Sequence, residues 1–120
     1  MRTPPATPGV SATVALMIAN TALFVIQQIH RVWVLHMDTG HYFATSPFAL
    51  SLSGLGQGYL WQLITFQFMH GGLLHLLGNL LMIYFFGRAV EDTLGKSGFL
   101  RVYLASGVVG GLFQILFAWL

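Results

Sequence analysis

Three stretches of the chain are apolar over lengths that suit a membrane. Residues 10–29, 60–86 and 102–120 each lack Asp, Glu, Lys and Arg. The first and last are close to the roughly 20 residues that a helix needs to cross a bilayer. The middle one would extend about 40 Å as a single helix, against a hydrocarbon core of about 30 Å, so it is expected to break. Gly71 and Gly72 mark the place, because paired glycines weaken a helix interior but suit a tight turn ahead of one. The pattern therefore predicts spanning helices over about 10–30, 72–90 and 99–120, with a loop over 31–71 in which residues 60–69 form a shorter element.

The middle stretch also carries His70, His75 and Asn79. A helix turns about 100° per residue, so His75 and Asn79 lie one above the other on one face, with His70 on the preceding turn or at the mouth of the helix. An unpaired imidazole or amide is costly in hydrocarbon, and such groups face the bundle interior or a water-filled cavity. A site facing that interior is the leading reading. The bland alternative, in which these side chains bond only to one another or to backbone, stays open on the residues alone. A metal site fits poorly. His70 and His75 are about 140° apart around the axis, and there is no His-Glu-x-x-His, so neither the ligand pair nor a carboxylate base is in place.

Composition narrows the solvent. At 56% hydrophobic and 7% charged, the chain cannot cover a globule with polar groups in water, and a bilayer is expected. The formal charge of +2 is too weak and dispersed for nucleic acid. The absence of cysteine excludes disulfides and thiolate metal sites. The first apolar run exceeds the roughly 7–15 residues of a signal core and no small-x-small site follows it, so it reads as an anchor.

Arg2, Arg88, Lys96 and Arg101 fall on one side of the three helices and Arg31 alone on the other, which places the N-terminus in the cytoplasm. Residues 31–59 then face outward. Their aromatics and aliphatics suit a loop lying in the interface plane, with a floppy connector as the alternative. In the third segment Ser106, Gly107, Gly110 and Gly111 form a small-residue stripe that lets backbones approach closely. Packing inside this protein is favoured over a homodimer, and the oligomeric state is left open. Residues 1–9 read as a disordered lead, and no internal repeat is visible.

The run Leu60-Trp61-Gln62-Leu63-Ile64-Thr65-Phe66-Gln67-Phe68-Met69-His70-Gly71-Gly72-Leu73-Leu74-His75-Leu76-Leu77-Gly78-Asn79, with Gly87-x-x-x-Glu91 and Gly95 beyond it, resembles the rhomboid family of intramembrane serine proteases. The resemblance extends from the first helix to the third, which opens Phe99-Leu100-Arg101-Val102-Tyr103-Leu104. It implies an all-α, polytopic membrane helix bundle in which residues 10–120 supply three of six core helices. It implies that His75 and Asn79 stabilise the oxyanion of the tetrahedral intermediate, and both can donate from a fixed helix face to a carbonyl oxygen acquiring charge. His70 is expected to be structural, joining loop to helix at the edge of the site. Trp61 stands where the family has a tryptophan, in a loop that lies laterally in the outer leaflet. Glu91 matches a carboxylate at the cytoplasmic end of the second helix, where it either holds the inner ends together or is a solvated charge beside Asp92.

The departures concern the nucleophile. Rhomboids use a serine in Gly-x-Ser-Gly on the fourth helix and a histidine base on the sixth, and neither helix is in these residues. Ser51-Leu52-Ser53-Gly54 has Ser where the first Gly belongs and lies upstream of the motif helix, so it reads as loop. Gln62 occupies a position where many members carry Arg, which removes an ion pair at that point. An oxyanion site without a nucleophile attacks nothing, so the chain alone is expected to be inactive. It reads as a fragment or truncated reading frame of a protease acting on transmembrane protein substrates in a bacterial inner membrane, with no cofactor. Two alternatives are a rhomboid-like pseudoprotease that binds membrane-protein clients and a small membrane protein of unrelated function.

Overall fold

The computed structural model describes residues 9–120. Arg2 and most of the expected N-terminal lead lie outside them. Helix α1, Ala12–Ile29, is started by Ser11, whose extended backbone and Oγ, accepting from the Val14 N–H at 3.1 Å, satisfy one of the free donors of the first turn. It runs on through a π-helical turn, His30–Val34, four residues past the expected end.

The segment 31–71 is structured by local caps. Asp38 accepts from the His41 N–H at 2.9 Å and starts α2, Thr39–Thr45. Ser51 accepts from the Gly54 N–H at 2.9 Å and starts α3, Leu52–Gly56. A fourth short helix, α4, Gln62–Thr65, tightens into a 3₁₀ turn, Phe66–Phe68. The chain leaves helical geometry at Met69 and re-enters it after Gly72.

Helix α5, Leu73–Met82, continues through a second π-helical turn, Ile83–Gly87, into α6, Arg88–Trp119. Within α6, Gly95 has φ 75° and ψ 174°, a conformation open to a residue without a Cβ and costly for others. The second long helix therefore ends at residue 94 and the third begins at 96. The second runs about one turn further than the hydropathy pattern suggests, and the third starts correspondingly earlier. The third helix folds back along the second. A Cβ on Gly87 would sit 2.9 Å from the Phe99 ring, and Asn20 of α1 contacts both Asn79 and Tyr103.

Burial differs from that of a protein in water, with many large apolar side chains exposed. The largest fully buried side chains are His70, Gln62, Asn20 and Thr13, all polar, whereas Leu74 is 84% exposed and Phe117 72% exposed. A small apolar cluster of Ala12, Leu16, Ile83 and Phe99 closes one end. In hydrocarbon, leucine and phenylalanine gain nothing by hiding, while hydrogen-bonding groups must find partners inside the protein. Among the described residues two continuous helical stretches, Ala12–Val34 and Leu73–Trp119, are long and apolar enough to span, and Gly95 divides the latter into two. The architecture is an all-α membrane helix bundle.

Candidate active site

Three buried polar residues of α1, Thr13, Asn20 and Gln27, recur every seventh position and so form one stripe along the helix. Each binds a different part of the chain. At one end the Ala12 and Thr13 N–H groups donate to Glu91 at 2.8 and 2.7 Å, and the Thr13 hydroxyl donates to the same carboxylate at 2.7 Å. A carboxylate on the free N–H groups of a helix start also meets the positive end of its dipole. Glu91 thus ties the second helix to the start of the first.

At the other end, the Gln27 amide grips the backbone of His70. Its Nε2 donates to the His70 carbonyl at 2.7 Å, and its Oε1 accepts from the His70 N–H at 3.2 Å. This pair replaces the ladder bonds that the irregular backbone between Phe68 and Leu73 lacks. The His70 ring is 1% exposed. Burial, reinforced by the neighbouring His75, holds its pKa below the usual histidine value, while the Phe68 backbone pulls weakly the other way. A neutral ring has one donor and one acceptor nitrogen. Asn79 Nδ2 lies 3.2 Å from His70 Nε2, so with the amide nitrogen on that side Nε2 accepts and the proton sits on Nδ1, which finds no partner in hydrogen-bond geometry among the described residues.

His70, His75 and Asn79 all line one cleft of about 470 Å³, which Gln67 and Gln114 also border. The His70 and His75 rings meet edge to face, with centroids 5.1 Å apart. His75 is exposed and Asn79 is half-buried, so both can meet a group entering the cleft. The cleft therefore offers hydrogen-bond donors on a helix face, which can polarise a carbonyl oxygen.

Trp61 and Glu91 do not line it. The indole of Trp61 donates to the Pro47 carbonyl at 3.0 Å and stacks on Tyr59 at 4.7 Å, pinning the loop instead. Gln62 anchors the same loop without charge: its Nε2 donates to the Pro47 carbonyl at 3.1 Å and its Oε1 accepts from the Ser51 N–H at 3.1 Å. Gly54 packs directly on that amide, where a Cβ would collide. The small-residue stripe of the third helix has an internal use, since Gly107 receives the Gln67 amide and Gly111 the Phe66 ring.

Asn20 and Gln27 are the contributors that sequence reasoning missed. Their signal was present as polar residues at a seven-residue interval in an apolar helix, a pattern that marks one inward face.

The chain is similar to several known proteins. A family model described as the Rhomboid domain matches residues 57–119. The chain is 44% identical over 59 residues to the putative rhomboid protease YdcA of Bacillus subtilis (strain 168), covering 49% of this chain and 30% of that protein. It is 33% identical over 104 residues to the rhomboid protease GluP of the same organism, covering 82% and 20%. It is also 36% identical over 58 residues to the inactive RHOMBOID-like protein 8 of Arabidopsis thaliana, covering 48% and 16%. The chain thus spans between 16% and 30% of the length of these relatives. No solved structure matches it. With the family model covering more than half of its residues, on a helical membrane bundle whose largest fully buried side chains are polar, the chain belongs to the rhomboid family.

Proposed function

We propose that this chain forms the oxyanion-binding side of an intramembrane serine endopeptidase that cuts transmembrane or membrane-adjacent protein substrates. The observation that carries the reading is the opening of His75 and Asn79 onto one cleft, with His70 braced behind them. When a nucleophile attacks a peptide carbonyl, the oxygen becomes an alkoxide, and fixed N–H donors in a water-poor site stabilise that charge more than the carbonyl it came from. The nucleophilic serine and the histidine base belong to further helices of the whole protein, as the family resemblance implies. His70 serves as a brace, and Glu91 and Trp61 hold the scaffold at its inner end and in its outer loop. Loss of turnover in Asn79→Ala of the whole protease is the direct test.

Residues 1–120 alone should not react with a serine-directed fluorophosphonate. Ser53, nearest to the family motif, sits on α3, where its hydroxyl accepts from Gln57 Nε2 at 3.1 Å. Gel fluorescence of the detergent-solubilised chain should stay at background. Labelling abolished by Ser53→Ala would require a different catalytic pair. Residues 57–119 alone do not separate protease from pseudoprotease, since a relative named as inactive resembles this chain over a comparable length. Fluorophosphonate labelling of the whole protein does so, and its failure there would favour client binding without cleavage.

The N-terminus is proposed to face the cytoplasm of a bacterial inner membrane, on the distribution of Arg and Lys. The native chain has no cysteine to interfere with labelling. In intact cells Ser46→Cys should react with an impermeant maleimide and Ser97→Cys should not. The reverse pattern would move the cleft to the inner leaflet.

A further inference from the structure

Among the stripe residues of α1, Asn20 is the one with no exposed surface, at 0%. Its Nδ2 donates to the Leu16 carbonyl at 2.8 Å, within its own helix, and reaches the Tyr103 hydroxyl at 3.4 Å. A backbone carbonyl can only accept, so the Asn20 amide is fixed with its nitrogen toward Leu16 and its oxygen toward α5. That oxygen faces Asn79 Nδ2 at 3.5 Å, the long limit of a hydrogen bond, while His70 Nε2 faces the same nitrogen at 3.2 Å. Turning the Asn79 amide over would set its oxygen against Asn20 Oδ1. Orientation is thereby passed in one direction, from a carbonyl of a rigid helix, through Asn20, to Asn79.

We propose that Asn20 is a positioning residue for Asn79: it keeps the amide nitrogen on the side of His70 and the cleft, and holds one N–H loosely enough to be handed to a stronger acceptor. A charged oxygen is such an acceptor, since its bonds to N–H run about 2.7–2.9 Å and are roughly twice as strong as neutral ones. This inference rests on the oxyanion role proposed above. Asn20 touches no reacting atom and acts only through Asn79.

The test is a double-mutant cycle on the whole protease in detergent, with thermal unfolding of every variant. Asn20→Leu places an apolar side chain of similar branching and equal heavy-atom count in the bundle and removes the acceptor. Asn20→Thr is the second variant: Thr21 Oγ1 already donates to the Met17 carbonyl at 2.8 Å, so a threonine at position 20 can satisfy Leu16 in the same way without reaching Asn79. Each should lower kcat roughly two- to tenfold and leave KM unchanged, because an amide free to turn spends part of its time with oxygen toward the developing charge. In an Asn79→Ala background neither should lower kcat further. Wild-type kcat in a folded Asn20→Thr, or a loss that multiplies with that of Asn79→Ala, overturns the positioning role. Wild-type turnover of Asn79→Ala itself would instead reject the oxyanion reading, and the two failures are told apart within one set of variants.

Discussion

Asn79→Ala in the whole protease is expected to lower kcat roughly ten- to a thousandfold with a much smaller change in KM, the upper end being the loss of a full oxyanion donor. The reason lies in when the bond becomes strong. In the structure the Asn79 amide contacts His70 at 3.2 Å and Asn20 at 3.5 Å, both neutral acceptors at modest distance. A peptide carbonyl entering the cleft is a comparable acceptor, and exchanging one for another gains little binding. An alkoxide is a far better one, so the interaction is felt mainly in the transition state. His75→Ala should behave in the same way, since that ring is exposed to the cleft. His70→Ala should differ, with lower thermal stability preceding any kinetic effect, because it removes a buried ring from behind Asn79 and the loop. Cleavage of a transmembrane substrate by purified variants, beside their unfolding curves, distinguishes the three. Folded Asn79→Ala and His75→Ala enzymes that cut at the wild-type rate would leave the polar pair with a structural role only.

Gly107→Leu should cost about 1–3 kcal/mol of stability, whereas Gly110→Leu on the same helix should stay within about 0.5 kcal/mol of wild type or gain slightly from the better helix former. The two glycines belong to one stripe but meet different surroundings. A Cβ at Gly107 collides with the Gln67 amide, whose nitrogen donates to the Leu63 carbonyl at 2.9 Å and to the Leu104 carbonyl at 3.2 Å. Displacing that amide breaks the bond that joins the α4 segment to the third helix. A Cβ at Gly110 meets nothing within 4 Å among the described residues. Thermal unfolding in detergent reads the difference. Equal behaviour of the two variants would mean that the stripe is not shaped by the Gln67 contact.

Much of this arrangement is legible along the chain, because its causes are local. Hydropathy locates three apolar segments, since transfer into hydrocarbon depends on the residues transferred and little else. The break expected at Gly71 and Gly72 lies where the chain re-enters helical geometry, and α5 begins at Leu73 after an extended Gly72. The four-residue interval of His75 and Asn79 puts them on one face whatever surrounds the helix. The helix ends are less legible. The second and third helices run to Gly95 from either side, although Arg88, Glu91, Asp92 and Lys96 interrupt the apolar pattern there, because a positive φ stops a helix where charge does not.

What the sequence by itself determined is the solvent, the apolar stretches that become long helices and the face that carries the polar pair, all set by residue type and helical period. Only the tertiary structure decided the partners. Glu91 as a solvated charge and Glu91 as a tie between helices are equal on local grounds, and the choice is made by the N–H groups of Ala12 and Thr13, nearly eighty positions away. The grip of Gln27 on His70 and the facing of Asn20 and Asn79 span 43 and 59 residues. Such pairs depend on how each helix is rotated and raised against its neighbours, and the helical period leaves both free. In a membrane that freedom is removed by close packing at small residues together with hydrogen bonding, since each buried amide or imidazole must find its complement.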